Sequence, residues 1–401
     1  MPASTSASAS ASASTLIAQA KSIAKEIAAT HADTVDKDSR FPQEAITALK
    51  DAQLLSAYIP ASLGGAGASL STLVEICEAL GQHCSATAMV FAMHQIQVIT
   101  LVRHASDHPW YQQYLRDLVT HQYLIASVTS EVGVGGEMRR SSCHVQQDDK
   151  QNSTQFKLVK NATTISYGAQ ADDLLVTARR SEDAANNDQS LILVRKADYS
   201  LEQKGEWDTM GMRGTCSPPF LLSASGVAEQ IIATPFADMS SVTVVPVSHL
   251  LWSGIWQGIA AAAVNKARAF VRGQARANPG TTPPTALRLA ELVCTLQTMR
   301  TSVQACLIEY EQLAAAPDAA QGILSSMPYA LKINNLKVET SQILPQIVGK
   351  ALLICGILGY KNDSKFSMSR HLRDAHSAAL MVGNDRILAT NANLLLILKD
   401  D

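Results

Sequence analysis

Residues 205–217 form the segment whose side chains are best suited to contacting a bound ligand. Gly211 and Gly214 flank Met212 and Arg213, and Thr215 and Ser217 follow just before a hydrophobic stretch. Glycine allows tight backbone conformations and a close approach to a ligand, while arginine offers a permanently charged, planar set of hydrogen-bond donors. This composition predicts a ligand-facing loop.

Two further segments, one on each side of this loop in the sequence, carry a similar signal. Residues 130–137 read Ser-Glu-Val-Gly-Val-Gly-Gly-Glu, and residues 356–360 and 370–374 read Gly-Ile-Leu-Gly-Tyr and Arg-His-Leu-Arg-Asp. The order and spacing of the three segments resemble those of the acyl-CoA dehydrogenase superfamily. This resemblance extends over about residues 25–395 and implies a flavin-dependent oxidoreductase.

The composition is that of a globular chain without the charge that a nucleic acid would attract. The 401 residues are 47% hydrophobic, and the formal net charge is −2. No basic surface field is therefore expected. Seven cysteines, an odd number without paired short spacings, argue against a disulfide framework and against a zinc site. We expect no metal site and a cytoplasmic location.

Local patterns predict four successive regions. Residues 1–15 are almost entirely Ala and Ser, which favours a disordered leader over a signal peptide. Helical periods over residues 16–123, short β-type runs over 124–246 and long helical periods over 247–401 follow. No stretch is predicted to span a membrane. The fold class is α+β, mainly α: an N-terminal helical domain, a small β-barrel or sandwich and a C-terminal four-helix bundle, as in the superfamily.

The resemblance implies that residues 130–137 and 164–166 approach a flavin ring. Donors near the ring edge stabilise the negative charge that develops when the ring accepts a hydride. The matching contacts are Ser130, Val132, Gly135, Gly136, Thr164 and Ser166. Relatives have a tryptophan where this chain has Thr164, so the group that shields the ring face is left open. An ordinary glycine turn and a turn hydroxyl are the alternative interpretations.

The resemblance also implies FAD as the cofactor, with FMN as the alternative because the segments that hold the FAD pyrophosphate are altered. No Phe-Gly pair accompanies the arginines of residues 272–279, and Leu353 replaces a glutamine ahead of Gly356. Arg276 and Gly356 are the predicted contacts, although scattered arginines are more often solvated surface groups. Since the superfamily's FAD site spans a subunit interface, a homodimer or homotetramer is expected.

The largest departure from the superfamily concerns the catalytic base. Its dehydrogenases use a glutamate to remove the α-proton of an acyl thioester, and the two known positions hold Val382 and Ser248 here. Valine accepts no proton, and serine is a poor base without an activating partner. The candidates for a relocated base are His94, His249, His376 and Asp385.

The substrate contacts expected from the resemblance are His94, Arg213, Val382 and Gly383. A lone histidine among apolar neighbours, such as His94, is equally well explained as a hydrogen-bonded core residue.

Three functions therefore remain open. The first is oxidation of an acyl thioester at Cα–Cβ, with hydride transfer to flavin N5, a relocated base and an electron-transfer protein as partner. The second is a monooxygenase reaction through a C4a-hydroperoxyflavin, in which a flavin reductase supplies reduced flavin and the substrate is another organic molecule. The third is non-catalytic binding of a flavin or an acyl thioester.

Overall fold

A computed structural model describes residues 4–135, 137–147, 155–316 and 322–398. Its first part is helical, with α1 (Ser4–Ile23), α2 (Ala29–Lys37), α3 (Gln43–Asp51), α4 (Leu70–Gly81), α5 (Ser85–His104) and α6 (Pro109–His121). A π-helical turn, Ala24–Ala28, joins α1 to α2. Helix α1 includes residues 4–15, which the composition predicts to be disordered.

Two small sheets follow α6. The strands are β1 (Ile125–Val128), β2 (Gln146–Gln147), β3 (Gln155–Ala162), β4 (Asp173–Arg179), β5 (Gln189–Val194), β6 (Tyr199–Gln203) and β7 (Phe220–Val227). One sheet has the order β1-β4-β5, and the other has the order β2-β3-β7-β6. Strand β1 runs parallel to β4, whereas the other pairs are antiparallel. Buried and exposed residues alternate along β3, so only one of its faces packs on the core.

The C-terminal part is again helical. It contains α7 (Phe236–Met239), a π-helical turn (Ser240–Val244), α8 (Val245–Ala277), α9 (Thr285–Ala314), α10 (Met327–Cys355), α11 (Ile357–Tyr360), α12 (Ser369–Ser377) and α13 (Asn384–Ile397). Helix α10 continues through Pro345, and the apolar spacing resumes after the proline at Ile347 and Ala351. The described elements thus follow the predicted order of helices, small β unit and helices.

Helix α8 crosses α4 so closely that only glycine fits at the contact. A Cβ atom at Gly254 would lie 2.8 Å from the carbonyl oxygen of Val74, and one at Gly258 would lie 2.3 Å from that of Glu78. Real side chains do not tolerate such distances to backbone atoms, so the two glycines fix the spacing of the helices. The N-terminal helices are thereby packed directly on the bundle.

Helix α5 is the central apolar helix of the N-terminal part. Within the described residues, it is the helix that is long and apolar enough to cross a membrane, yet 89% of its apolar window is buried inside the protein. Its buried side chains, such as Met89 and Phe91, belong to the main hydrophobic core. Helix α5 is therefore a core helix.

Candidate functional site

A cavity of about 550 Å³ lies where the N-terminal helices, the β unit and the C-terminal helices meet. Its apolar wall comes mainly from α5, the 205–217 loop, α8 and the segment after α12; the residues are Met89, Met93, Ile96, Trp207, Met210, Met212, Trp252, Leu380, Met381 and Val382. Its hydroxyl side chains come mainly from three segments. Ser127 and Thr129 lie at the end of β1, Thr164 and Ser166 follow β3, and Thr215 and Ser217 precede β7. Cavities of this size hold small organic ligands.

The 205–217 loop is fixed by close packing against α12. A Cβ atom at Gly211 would lie 2.2 Å from the carbonyl oxygen of Arg373, so the loop passes directly over the helix backbone. The Met212 N–H donates to Oδ1 of Asp374 at 2.7 Å. Burial raises the pKa of Asp374, while this hydrogen bond acts in the opposite direction. The glycine at position 211 therefore serves the packing of the loop.

Arg213, predicted to bind substrate, braces this loop. Its Nε donates to the carbonyl of Asp36 at 2.8 Å, and its Nη1 donates to the carbonyl of Thr209 at 2.7 Å and to Asp208 at 3.2 Å. The described cavity lining does not include it. The guanidinium of Arg213 therefore joins the Asp36 carbonyl, the Thr209 carbonyl and the Asp208 carboxylate by hydrogen bonds.

Arg373 is the charged residue that reaches the cavity. Its guanidinium forms two hydrogen bonds with the Asp36 carboxylate, one of them 2.9 Å between Nη1 and Oδ1, and a third with the carbonyl of Met210 at 2.8 Å. Asp36 raises the pKa of Arg373, so the pair stays ionised. The charge at the cavity edge is thus already neutralised.

The hydroxyl groups near the β unit form a chain that ends at the cavity. Thr215 donates to the carbonyl of Met212 at 2.9 Å, and Ser217 donates to Oγ of Ser166 at 2.9 Å. No described group accepts the proton of Ser166. Ser166 therefore retains a hydrogen-bond donor next to the cavity.

Ser130 and Thr164 are paired with each other. The Ser130 hydroxyl donates to the Thr164 carbonyl at 2.6 Å, and the Thr164 N–H donates back to Ser130 Oγ at 3.0 Å. Thr164 lines the cavity, whereas the described lining does not include Ser130.

The rest of the predicted 130–137 contact segment lies beside this pair. The Val132 N–H donates to the Asn161 carbonyl at 2.9 Å, so it is already occupied. Gly135 has a φ of +59°, which favours glycine. Gly136 lies outside the described residues.

His94 is a fully buried residue of α5 that the described cavity lining does not include. Its Nε2 hydrogen-bonds to the Leu55 carbonyl at 2.8 Å, and its Nδ1 accepts from the Ile125 N–H at 3.0 Å. Burial lowers the pKa of His94 to about 4, so the ring is neutral with its proton on Nε2. Both ring nitrogens are occupied by backbone, which leaves neither one for a substrate.

The described cavity lining does not include the other three candidate bases either. His249 is buried, its Nδ1 is 3.2 Å from the Ile333 carbonyl oxygen, and burial lowers its pKa to about 3. His376 and Asp385 are exposed, on α12 and in the first turn of α13. The structure therefore does not bring the four candidates together.

The two positions where relatives carry their glutamate do line the cavity. Val382 has a φ of +46°, a left-handed conformation that strains a β-branched residue. Ser248 on α8 donates to the Val244 carbonyl at 2.5 Å. Gly383, the residue before α13, lies outside the lining.

The described cavity lining does not include the predicted phosphate contacts either. Arg276 is exposed near the end of α8, 24 residues after Trp252, which corresponds to about 36 Å along the helix. Gly356 ends α10 with a φ of +57°, a conformation that suits glycine. Neither residue touches the cavity within the described chain.

The chemical content of the cavity follows from these placements. Among the described lining residues there is no aspartate, glutamate or histidine. General-base catalysis needs a basic group within about 3 Å of the proton or one water away. The walls supply hydroxyl donors, apolar surface and one neutralised arginine.

Models of protein families match both helical parts of the chain. Acyl-CoA dehydrogenase, N-terminal domain, matches residues 10–122, and acyl-CoA dehydrogenase, C-terminal domain, matches residues 247–393. The chain belongs to the acyl-CoA dehydrogenase superfamily. The fold predicted from the resemblance is confirmed by this membership.

The relatives within the superfamily include enzymes of different kinds. Cyclohex-1-ene-1-carbonyl-CoA dehydrogenase of Geobacter metallireducens is 23% identical, with 92% of this chain and 93% of the relative covered. L-evernosamine nitrososynthase of a Micromonospora species is 25% identical, with 88% and 83% covered. The FMN-bound structure of TdsC, a dibenzothiophene monooxygenase of Paenibacillus sp. A11-2, has a TM-score of 0.82 at 17% identity, with 96% of this chain and 98% of that chain covered.

Superfamily members bind a flavin, and the cavity walls of this chain fit one. A flavin ring has one edge of nitrogen and oxygen atoms and one hydrocarbon edge, so it matches a cavity with both hydroxyl and apolar surfaces. Ser166 is one of the lining hydroxyls whose proton no described group accepts, together with Ser127 and Thr129. Trp207 and Trp252 contribute flat aromatic surface.

Sequence reasoning missed most of the apolar wall. Six of the eleven methionines line the cavity: Met89, Met93, Met138, Met210, Met212 and Met381. Methionine is flexible and polarisable and packs well against aromatic rings. The spacing of Met210 and Met212 within the ligand-facing loop was a usable signal, whereas nothing local connects Met89 to Met381.

Proposed function

We propose that this chain is a monooxygenase that uses reduced flavin and dioxygen to oxygenate a neutral, apolar aromatic substrate. The observation that carries this proposal is the absence of any carboxylate or imidazole among the described residues that line the cavity. Oxidation of an acyl thioester requires such a group at the α-proton. Oxygen transfer to an aromatic or heteroatom centre does not.

The cofactor chemistry would be supplied by the flavin and the positioning by the protein. A bound reduced flavin provides two electrons and activates oxygen; one oxygen atom goes to the substrate, and the other leaves as water with two protons. Ser166 and Thr164 would hold the polar edge of the ring. The methionine and tryptophan wall would exclude water and orient the substrate.

The charge content of the cavity supports a neutral substrate. Arg373 is the cation among the described lining residues, and Asp36 and the Met210 carbonyl occupy its guanidinium. The apolar wall with Trp207, Trp252 and six methionines instead favours contact with an aromatic ring.

We propose FMN, delivered in reduced form by a separate flavin reductase, as the cofactor. In support, Leu353 stands where the resemblance implies a glutamine that holds FAD. Leu353, Ile357 and Tyr360 are exposed by 68%, 70% and 74% of their surface. Exposed apolar side chains so close together in the sequence support a homo-oligomer, as expected from the resemblance.

Two parallel assays test the proposal. In the first, the protein is supplied with reduced FMN by a reductase and with ¹⁸O₂ and indole as the aromatic probe; we expect one ¹⁸O atom in the product. In the second, flavin-loaded protein is mixed anaerobically with saturated acyl-CoAs of several chain lengths while flavin absorbance is followed; we expect no bleaching. Rapid bleaching by an acyl-CoA would instead establish the dehydrogenase with a relocated base.

A further inference from the structure

Lys337 on α10 is a fully buried cation that no described carboxylate neutralises. Its Nζ donates to Oδ1 of Asn384 at 2.6 Å and to the carbonyl of Val382 at 3.2 Å. The other fully buried lysine, Lys160, lies 3.5 Å from the Glu131 carboxylate and donates to the Thr177 carbonyl at 2.6 Å. The two lysines therefore differ in whether a counter-charge accompanies them.

An ammonium group without a counter-charge destabilises a folded core. Burial lowers the pKa of Lys337 to about 8, which means that the folded protein holds this proton less tightly than the unfolded chain does. A well-packed apolar side chain at such a position is often neutral or stabilising by comparison. The stability of the fold alone thus gives no reason for a lysine here.

One of the two groups that Lys337 holds is part of the cavity wall, and the other begins the helix that follows it. Val382 lines the cavity in a left-handed conformation with a φ of +46°, which a β-branched residue does not adopt without external support. Asn384 begins α13, and its Nδ2 also donates to Ser341 on α10 at 3.0 Å. Lys337 and Ser341 therefore tie the strained turn to α10.

We propose that Lys337 is a positioning residue, whose ammonium fixes the 381–384 turn and with it the cavity wall formed by Met381 and Val382. The role deepens the proposed function, because a wall of fixed shape is what orients a substrate that no ionic contact holds. The geometry of the clamp itself does not depend on which reaction the cavity performs.

Of the described groups close to Lys337, the lysine itself is the one whose protonation acts on the turn. His249 on α8 lies close enough to feel its charge, and burial keeps that imidazole neutral above a pKa of about 3. Asp385 on α13 is exposed and forms no ion pair with Lys337. Asn384, Ser341 and the Val382 carbonyl are uncharged.

Amide hydrogen exchange of the full-length protein tests the clamp directly. The Met381 and Asn384 amides are hydrogen-bonded to Ser377 and Ala379, so a loosened turn exposes them. We expect Lys337→Met to raise their exchange at least about tenfold, the loss of one charge-assisted hydrogen bond. The matched control is Lys332→Met on the same helix, an exposed lysine 2.8 Å from Glu309, which should leave them unchanged.

Two further measurements keep the test decisive. In a Val382→Gly background, Lys337→Met should change exchange much less, because glycine adopts the left-handed conformation without strain. If Lys337→Met does not fold, the wild-type protein serves: protection of the same amides, corrected for intrinsic chemistry, should fall between pH 7 and about 9.5 as the ammonium deprotonates. Unchanged exchange in the variant, or constant protection across that pH range, overturns the proposal.

The result is separable from that of the functional assays. A loosened turn in a protein that bleaches with acyl-CoA keeps the clamp and refutes the monooxygenase. Unchanged amide exchange in a protein that incorporates ¹⁸O refutes the clamp and keeps the monooxygenase.

Discussion

The core around His94 and the cavity differ in whether their polar side chains keep hydrogen-bonding capacity for a ligand. In the core, both nitrogens of His94 are occupied by the backbone at Leu55 and Ile125. In the cavity, Ser166 accepts one hydrogen bond and keeps its own proton free. Residue type therefore says little about chemistry until the unused hydrogen-bonding capacity is located. The core histidines are expected to govern stability, and the cavity hydroxyls are expected to govern turnover.

The largest expected effect is acid destabilisation from the core histidines. The pKa of His94 is lowered to about 4 and that of His249 to about 3. Between these values and the unfolded value near 6.5, the unfolded chain binds more protons than the folded one. The free energy of unfolding should therefore fall as the pH drops below about 6.5, on the order of 3 kcal/mol for His94 alone.

Denaturant titrations at pH 7, 6, 5 and 4.5 measure this loss, and NMR of the ring protons measures the histidine itself. A His94 signal that titrates near pH 6.5 would refute its assignment to the neutral core.

Ser166→Ala should produce the largest effect on turnover. Removing one preplaced donor at a developing charge costs about 100-fold in kcat, or about 2.7 kcal/mol. The control is Ser130→Ala, because the Ser130 proton is already committed to the Thr164 carbonyl at 2.6 Å. Oxygenated product per second, measured at saturating reduced FMN, compares the two. Equal losses in both variants would show that the free proton of Ser166 has no special role.

Gly211→Ala tests whether loop packing against α12 shapes the cavity. The new Cβ would meet the Arg373 carbonyl oxygen at 2.2 Å, so the loop must move. We expect a loss of about 2 kcal/mol in the free energy of unfolding. Gly349→Ala on α10, which meets nothing within 4 Å, should be neutral or stabilising by up to about 1 kcal/mol. A Gly211→Ala protein as stable as the Gly349→Ala protein would contradict the packing argument.

Met93→Leu should have the smallest effect. A volume-conserving exchange in an apolar wall usually costs less than about 1.5 kcal/mol. The Kd of an apolar aromatic probe, followed by tryptophan fluorescence, should change less than about tenfold. A larger change would mean that the thioether makes a specific contact.

The fold was largely predictable because its signals are local. Apolar repeats at helical spacing mark α8 and α9, alternating residues mark β3, and α10 runs through Pro345 as its resumed period indicates. Residues 4–15 differ from the prediction, because their Ala and Ser composition is typical of disorder whereas the structure includes them in α1.

The site was much less predictable because its walls come from distant segments. Val382 and Ser166 were identified through the resemblance, and both line the cavity. The sequence did not decide whether His94 contacts a ligand or lies in the core, because nothing in it shows which way an α5 side chain points. Arg213 and Arg373 look alike in the sequence and both contact Asp36, and tertiary packing decides that Arg373, not Arg213, lines the cavity.

The most direct test of a cavity without a base is solvent exchange of a thioester α-proton. Flavin-loaded protein is incubated anaerobically with a saturated acyl-CoA in D₂O, alongside a superfamily dehydrogenase as positive control, and deuterium at Cα is followed by NMR. The account predicts no incorporation above the rate without protein. Enzyme-dependent deuteration at Cα would show that a base reaches the substrate and would contradict it.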